Sequence, residues 1–530
     1  MKKILFTLSM LLVMGVVEAQ TVQVSGKQSG TWDADTVLVV GDIEVIGSLE
    51  VLPGTMVLFA DFFRVGVADG AEFTALGSVD DSIVFTVADT TGLSNEFSKE
   101  GGWAGIQVKR GRVRLDYCVL QYGKAFYSPD AQNEEMEGGA MYIDGGDAEI
   151  AHSTLRCNHA YTKGGAVHAQ DADLTMAFCA VNDNVVLSEG GPYGVYGGGL
   201  SMLRCHVDMR NMEFRRNYAP RCIGGALSLD SCKVDLHNAV FADNVGLNGG
   251  GMYMMRNNNF VNTLYNLAFY RNYSGHFAGG LAFCDSSPYV YNLLVYDNSS
   301  EGVNCNGVFF FEHSQPKMNN CIVYGNYPPE GSMLLDTVQM WSWTTDDYAP
   351  EFYNCLIEGE KKMISNSEVI KVFENVIDAD PLFVDAENYD FHLQEGSPCR
   401  DAGNEFVPFD LIQGADLGGL RRVSNGRIDI GPYEYSEASV PQHEAEKAFA
   451  RLIGTPLSEE SRLMIELSRP QQVTVRLCSA MGQVVSDRVF EGVVGVQEWN
   501  LGDLAAKLVP GWYVVEVVSE ERVCAIKTIR

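Results

Sequence analysis

The chain has 530 residues, with 38 Lys and Arg against 69 Asp and Glu, so its formal net charge is −31 and its pI is near 4.6. Nucleic-acid binding needs clustered positive charge, and this balance excludes it as an expected function. The 54 glycines and 46% hydrophobic residues are typical of many short strands joined by tight turns. Cations, neutral glycans and other proteins stay open as ligands.

Residues 1–19 have the features of a secretory signal peptide. Lys2 and Lys3 precede an apolar run, and Val17-Glu18-Ala19 is a small-residue cleavage site. We therefore expect a mature chain that begins at Gln20 and is exported through the periplasm and outer membrane to the cell surface or medium. No later stretch is long and apolar enough to span a membrane, so we expect no transmembrane segment in the mature chain.

A repeat organises residues 138–326. Glycine pairs recur at steps of 26 to 34 residues, and an asparagine follows each pair about twenty residues later. The pairs are predicted to begin at Gly138, Gly164, Gly198, Gly224, Gly250 and Gly279, and the asparagines are Asn158, Asn184, Asn217, Asn244, Asn272, Asn298 and Asn326. Such a period predicts stacked coils that share one continuous core.

Alignment of the turns on these asparagines shows columns of like residues. The positions three and eight residues before them are always apolar, so both columns are predicted to point into the core. The position six residues before is an asparagine in five turns, which predicts left-handed bends with amides stacked from coil to coil. These are Asn211, Asn238, Asn266, Asn292 and Asn320.

The sequence Gly224-Gly225-Ala226, with the Phe-x-x-Asn sequences that end at Asn217, Asn244 and Asn272, resembles the repeats of polymorphic outer-membrane proteins. The resemblance implies an all-β fold, a right-handed parallel β-helix over residues 20–400. It implies no single activity, because this fold carries polysaccharide lyases, glycosidases, adhesins and passive surface stalks.

The sequences Asp380-Pro381-Leu382-Phe383-Val384 and Asp429-Ile430-Gly431-Pro432-Tyr433 belong to a run that resembles the closing segment of secreted β-helix proteins with a "choice of anchor" module. We assign residues 401–435 to this closing segment and expect it to cap the open end of the helix. Residues 436–455 are rich in Pro, Glu and Ala and are predicted to be a linker.

Alternating apolar residues at Val473, Val475 and Leu477, and a second apolar run after Trp512, predict a small antiparallel β-sandwich over residues 456–530. This region is similar to the C-terminal sorting domain of the type IX secretion system of Bacteroidetes, with Pro510 one position later than usual. The resemblance implies the secretion machinery as a partner and delivery to the cell surface.

Three insertions interrupt the repeat, at residues 125–137, 187–196 and 327–350. The third is a candidate ligand-binding site, because Trp341, Trp343 and Tyr348 can stack on a sugar ring while Asp346 and Asp347 hold its hydroxyls. The alternative is a loop that packs its own aromatic rings against the side of the helix.

Four aspartates are candidate metal ligands. Asp171 and Asp173 are predicted on one side of a strand with His168 close by, and Asp208 and Asp235 fall in one column of neighbouring turns. Calcium held by such acids, with a nearby Arg or Lys as base, would serve a polysaccharide lyase. The alternative is that they are ordinary outward polar residues, and no other cofactor is expected.

The chain has 13 cysteines. Cys179 and Cys321 lie at a column that is apolar in other turns and are predicted to pack in the core. Cys205 and Cys232 lie at equivalent positions of adjacent turns, close enough for a disulfide.

Together these features predict an exported cell-surface protein that binds a glycan, or a host or matrix protein, in adhesion. The alternative is a lyase or glycosidase that degrades polysaccharide on the same fold.

Overall fold

A computed structural model of the chain describes residues 20–127, 136–186, 188, 196–302, 305–329, 338–344, 347–404, 407, 415–423 and 427–435. Of the C-terminal region it describes residues 450–453, 461–467, 471–479, 484–492, 495–501, 512–518 and 523–529. The predicted signal peptide lies outside these ranges. The chain divides into two compact units, residues 1–439 and 440–530.

The first unit is a parallel β-helix, as predicted, whose coils present three strand faces. Face A follows the glycine pairs and contains Val65–Val67, Ile106–Lys109, Met141–Asp144, Val167–Gln170, Leu200–Leu203, Leu227–Asp230, Met252–Met255, Leu281–Cys284, Cys305–Glu312, Val338–Thr344 and Ile364–Ser365. Face B contains Glu72–Leu76, Arg112–Asp116, Asp147–Ala151, Asp173–Ala177, Lys317–Asn319, Glu351–Tyr353 and Phe373–Glu374.

Face C contains Met56–Phe59, Ile83–Val87, Cys118–Gln121, Thr154–Arg156, Ala180–Asn182, Ile322–Tyr324 and Leu356–Ile357. Four long strands bend from face B into face C, namely His206–Arg215, Lys233–Ala242, Thr263–Tyr270 and Tyr289–Tyr296. The coil starts with Thr21–Trp32 and Thr36–Val51, and a short fourth strip holds His159–Ala160, Val185–Val186, Val245–Asn248, Tyr273–Phe277 and Ser299–Ser300. Two 3-10 turns, Glu360–Met363 and Ser367–Val369, lie between the strands of the last coil. A third, Ala386–Asn388, and the antiparallel pair Phe383–Asp385 and Asp390–Leu393 follow it.

One apolar core runs through the coils from Val24 to Ile370. Both predicted inward columns lie in it, because alternate side chains of a strand point to opposite faces. The phenylalanines three residues before the asparagines stack face to face, with centroids 4.5 Å apart for Phe214 and Phe241 and 4.4 Å apart for Phe241 and Phe269. The prediction of stacked coils with a shared core is confirmed.

The repeated asparagines are fully buried and form a ladder of amides at the end of face C. In each rung Nδ2 donates to Oδ1 of the asparagine one coil later, for example from Asn217 to Asn244 at 2.9 Å. The same Oδ1 accepts the backbone N–H of the earlier asparagine, at 3.0 Å for this pair. Asn326 donates to Gln339 Oε1 at 2.8 Å, so Gln339 continues the ladder. Each amide satisfies a buried donor of its neighbour, which explains why the position is invariant among these turns.

The register of the glycine pairs differs from the prediction at three turns. The left-handed corner lies at Gly197 (φ 62°) and Gly249 (φ 64°), not at Gly198 and Gly250. In the next turn Ala278 (φ 50°) occupies this corner and Gly279 follows it. At Gly197 and Gly249 the error arose because a run of three glycines does not reveal which member holds the corner, and at Ala278 because the corner residue is not a glycine.

The second column of asparagines adopts left-handed bends throughout, with φ between 51° and 55°. Its first three members stack as predicted, since Asn238 donates to Asn211 at 3.1 Å and Asn266 donates to Asn238 at 2.9 Å. Later members donate instead to backbone carbonyls of the closing segment. Asn292 donates to the carbonyl of Gly431 at 2.9 Å, and Asn320 donates to that of Asn404 at 3.4 Å.

The closing segment therefore packs along the side of the coil, which corrects the prediction that it caps the open end. Its Ile430 and Tyr435 join Phe383, Phe391 and Leu393 in an apolar cluster. This cluster covers outward side chains of face C, namely Ala242, Ala268, Leu294, Ile322 and Leu356. Arg422 and Glu434 form a fully buried ion pair at 2.8 Å inside this contact.

The second unit contains two antiparallel sheets. One holds Ala450–Ile453, Arg462–Leu467 and Gly495–Asn500, and the other holds Val484–Gly492, Gln471–Ser479, Trp512–Val518 and Val523–Ile529. The predicted linker, 436–455, extends too far, because Ala450–Ile453 pairs with Arg462–Leu467 inside this unit. Among the described residues, no helix is apolar and long enough to cross a membrane.

Cys179 and Cys321 are buried in the core, as predicted. Cys205 and Cys232 lie on adjacent coils, and Sγ of Cys232 is 3.4 Å from the backbone nitrogen of Cys205. Both are free thiols, so the predicted disulfide is absent from this structure although the two residues are neighbours.

Candidate functional site

In the described part of the chain, strands of face A turn into face B through residues in the left-handed conformation. Seven such corners have φ between 46° and 57°, and they are Arg110, Asp171, Arg204, Ser231, Arg256, Asp285 and Glu312. The parallel register stacks them about 4.8 Å apart along the helix axis. We call this line of corners, with the loop 256–262 and residues 313 and 347–348, the AB edge.

Side chains on successive coils of the AB edge pair with one another. Arg204 donates to both carboxylate oxygens of Asp171, at 2.7 and 2.6 Å. Arg256 makes the corresponding pair with Asp230, with one contact at 2.8 Å. Arg204 and Asp171 are both half exposed, so their pair orders the surface more than it stabilises the fold, whereas Asp230 is buried and Arg256 supplies its charged partner.

A groove of about 750 Å³ lies at the start of the AB edge. Its charged lining combines Asp147, Asp171, Asp173, Arg204, His206 and Lys233, and the loop 256–262 contributes Asn259 and the partly exposed Phe260. That loop is held at its base, because Asn262 accepts the N–H of Val234 at 2.8 Å and donates to the carbonyl of Asn257 at 3.1 Å. The loop that forms one side of the groove is therefore fixed to the coil by hydrogen bonds.

The four predicted metal ligands fall into two places. Asp171 and Asp173 line the groove, where the hydrogen bond from Arg204 lowers the pKa of Asp171. Asp208 and Asp235 are register neighbours on face B and do not line it. Among the described residues, no group of three metal-ligating atoms includes any of the four. Calcium at these residues stays a prediction.

His168 does not join the groove. It is fully buried on face A, with Nδ1 3.1 Å from Oγ of Ser201. Burial lowers its pKa to about 3, so it is neutral at ordinary pH.

The predicted aromatic site lies at the other end of the AB edge, and its tryptophans do not belong to a loop. Trp341 and Trp343 lie on the strand Val338–Thr344, which pairs with Cys305–Glu312. The interpretation of 327–350 as one irregular insertion is therefore wrong at this strand. Trp341 packs edge-on against Phe309, with centroids 6.5 Å apart, whereas Trp343 is 55% exposed.

Tyr348 lies at the end of the turn after this strand and is 40% exposed. Its ring meets that of His313 edge-on, with centroids 4.8 Å apart. Asp347 is exposed beside it, and Asp346 lies outside the described residues. Trp343 and Tyr348 therefore offer ring faces to solvent, whereas Trp341 fulfils the alternative prediction of packing against the helix side.

Two carboxylates that the sequence reasoning missed lie on the two coils that precede the strand of Trp343, and one of them contacts His313, whose ring meets Tyr348. Asp285 and Glu312 occupy the same corner on adjacent coils, and their ligand oxygens and Sγ of Cys284 all lie within 4.8 Å of one another. Nδ1 of His313 is 2.6 Å from Oδ1 of Asp285, and Sγ of Cys284 is 3.7 Å from Oε2 of Glu312. Asp285 and Glu312 lie one repeat apart in the sequence, and this spacing could have predicted that they become neighbours. Alignment of the turns on the asparagines did not identify the corner positions, so the pair was missed.

Burial, and then the neighbouring Asp285, raise the pKa of Glu312. Burial opposes ionisation of Asp285 as well, but hydrogen bonds from His313 and Glu312 outweigh it, so the pKa of Asp285 is lowered. Burial followed by the charge of Glu312 raises the pKa of the Cys284 thiol to about 12. The pKa values of the two acids are therefore shifted in opposite directions.

No model of a known protein family matches the chain, and no curated protein sequence matches it. Among solved structures, a tailspike protein gp49 from Acinetobacter baumannii bacteriophage Fri1, described as a capsular polysaccharide depolymerase, is similar over 91% of this chain and 73% of that chain. The TM-score is 0.31 and the sequence identity is 9%. A likeness at this level does not indicate an activity for this chain.

Proposed function

We propose that the first unit binds an extended polysaccharide along the AB edge, with Trp343 and Tyr348 as stacking platforms. The observation that carries this proposal is that His313 contacts both Asp285 and the exposed ring of Tyr348. Glu312 pairs in register with Thr344, the residue after the exposed Trp343. Sugar rings pack on aromatic faces through their C–H groups, and their hydroxyls donate to carboxylates. The arrangement supplies both kinds of contact.

The dimensions of the edge support a polymer as ligand. Six coils separate the turn of Asp171 from that of Tyr348, which corresponds to about 29 Å at about 4.8 Å per coil. The groove lies at one end of this line and the exposed rings at the other, with the loop 256–262 between them. The side chain of Asn258 donates to the carbonyl of His313 at 2.8 Å, so this loop connects the two ends.

We further propose that the protein acts in adhesion at the cell surface and is delivered there by a type IX-like secretion route. The predicted signal peptide and the resemblance of residues 456–530 to a sorting domain support this proposal. Deletion of residues 462–530 should leave the protein in the periplasm. Normal surface display of the truncated protein would contradict the secretion route without touching the binding site.

The binding proposal is tested by calorimetric titration of the full mature chain with a panel of oligosaccharides. W343A and Y348A should each weaken binding at least tenfold, because each removes a stacking platform. F178A is a matched control, since Phe178 is 54% exposed on another part of the coil. Equal binding by W343A, Y348A and F178A would overturn the proposal.

A second candidate function is polysaccharide cleavage in the groove. The specific observation that favours it is that Asp173, His206 and Lys233 line one cavity, which places a carboxylate and an imidazole beside a cationic side chain that can stabilise developing negative charge. Incubation with pectin, alginate and glycosaminoglycans, followed by absorbance of unsaturated products, tests for a lyase. Activity that is lost in K233A but kept in W343A would establish it, and absence of product from every substrate would remove a lyase from consideration.

A further inference from the structure

We infer that the glycan bound at the Trp343 end of the AB edge carries free, protonated amino groups. This inference rests on the proposed function and narrows it to a substrate class, amino sugars that are not N-acylated. The inference rests on the charged and aromatic side chains around Trp343, and not on the groove at the other end of the AB edge.

The charges around this position are predominantly negative. Asp285, Glu312 and Asp347 contribute three carboxyl groups to the edge between residues 284 and 348. The basic side chains in the described part of that span are His313, which contacts Asp285, and Lys317, which lies 3.7 Å from Glu351. On the preceding coil Arg256 occupies the corner next to Asp285, and its guanidinium is paired with Asp230. A uronate or sulfated sugar would meet like charge here, whereas an ammonium group would meet opposite charge.

The aromatic rings favour the same class of ligand. Trp343 and Phe311 meet edge-on with centroids 5.6 Å apart, so Phe311 supports the indole while Trp343 stays 55% exposed. An ammonium group over the face of a tryptophan or tyrosine is attracted by the ring quadrupole, and tryptophan gives the strongest attraction. A ring face beside carboxylates is therefore better matched to a cationic sugar than to a neutral one.

The Asp285 and Glu312 pair supplies a third reason. Two carboxyl groups this close repel each other when both are ionised, and burial adds to the cost. An ammonium group that donates to both relieves this repulsion and favours the ionised form of both carboxyl groups.

The test compares three hexasaccharides, namely β-1,4-glucosamine, its fully N-acetylated form and α-1,4-galacturonate. Titrations are run at a pH at which the glucosamine amines are protonated. We expect the glucosamine hexamer to bind about tenfold more tightly than the N-acetylated hexamer, and the galacturonate hexamer to bind most weakly. E312Q and the double variant D285N/E312Q should reduce the preference for the amine to less than about threefold. W343A should weaken both glucosamine-type hexamers.

The matched control is D208N/D235N, which neutralises two register neighbours on face B that do not line the edge. It should keep the full preference, and thermal unfolding of every variant separates loss of fold from loss of binding. If the two glucosamine-type hexamers bind equally and W343A weakens both, the inference is overturned and the binding proposal stands. If the galacturonate hexamer binds most tightly, the inference is also overturned. If no glycan binds in a Trp343-dependent way, the proposed function itself fails.

Discussion

Nδ1 of His313 lies 2.6 Å from Oδ1 of Asp285, and the same imidazole meets the ring of Tyr348 edge-on at 4.8 Å. One histidine thus connects a carboxylate on the preceding coil with an exposed ring on the following turn. The contact couples the acidic and the aromatic parts of the proposed site across three successive turns.

We predict that H313A weakens binding of the N-acetylated hexamer about fivefold, because Tyr348 loses its neighbouring ring. The preference for the amine-bearing hexamer should be kept, since Asp285 and Glu312 remain. Calorimetric titration measures both quantities, with H206A as the control in the groove. Loss of the preference with unchanged affinity for the N-acetylated hexamer would contradict this role of His313.

The buried amide ladder should dominate local stability. Asn244 accepts from the backbone N–H of Asn217 at 3.0 Å and donates to the carbonyl of Phe214 at 3.0 Å. N244A leaves both groups buried without their partner, so we expect a loss of about 3 kcal/mol in the free energy of unfolding. Urea unfolding checks this value. N259A, at an exposed loop position, should stay within about 0.5 kcal/mol of the parent.

Glycine corners differ in what a side chain would meet. Gly224 has φ 74°, and a Cβ there would lie 2.4 Å from the carbonyl oxygen of Leu227. Gly419 has φ 88° with nothing within 4 Å of a Cβ. G419A should therefore cost about 1–2 kcal/mol for the left-handed backbone alone, and G224A should exceed about 3 kcal/mol. Equal losses in thermal unfolding would show that steric contact at the corner is unimportant.

Two buried histidines should make the first unit sensitive to acid. Burial lowers the pKa of His168 from 6.5 to about 3 and that of His159 from 6.5 to about 4. Below pH 6.5 the unfolded chain therefore binds protons that the folded chain does not, so the free energy of unfolding falls as the pH falls. The expected slope is about 1.4 kcal/mol per pH unit for each histidine.

Urea unfolding between pH 7 and pH 5 measures this slope. H168Q should reduce it, because glutamine keeps a polar partner for Ser201 but does not titrate. H206Q, at an exposed histidine, is the matched control. A slope that H168Q and H206Q alter equally would refute the assignment to His168.

The side contact of the closing segment depends on a buried ion pair. R422M would leave Glu434 buried without its partner at 2.8 Å, and we expect a loss of about 3–5 kcal/mol. The double variant R422M/E434L removes both charges and should recover most of that loss. Thermal unfolding and proteolysis within residues 401–435 report the effect. A double variant as unstable as R422M would point to packing rather than charge.

Much of the coil was predictable because its rules are local and repeat. The alternation of inward and outward side chains along a strand predicted that Phe241 and Leu236 lie in the core. The shared repeat spacing of Asn217 and Asn244 predicted the corner at which their amides stack. The corner at Gly197 was misplaced because a run of three glycines leaves the register open. The position of the closing segment was missed because its docking to face C depends on contacts between residues more than 100 positions apart.

The candidate site was only half predictable. Trp343 and Tyr348 were found because exposed aromatics next to acids suggest sugar binding, although Trp343 was expected on a loop. Asp285, Glu312 and His313 come together only after coiling, when residues one repeat apart become neighbours. A single sequence shows them as scattered polar residues.

The most direct measurement is a crystal structure of the mature chain with the bound glucosamine hexamer. The account predicts a pyranose ring over Trp343, an amino group within hydrogen-bonding distance of Asp285 or Glu312, and a chain that continues along the AB edge toward Phe260. A hexamer bound on face B over Asp208 and Asp235, or on any surface away from Trp343, would contradict it.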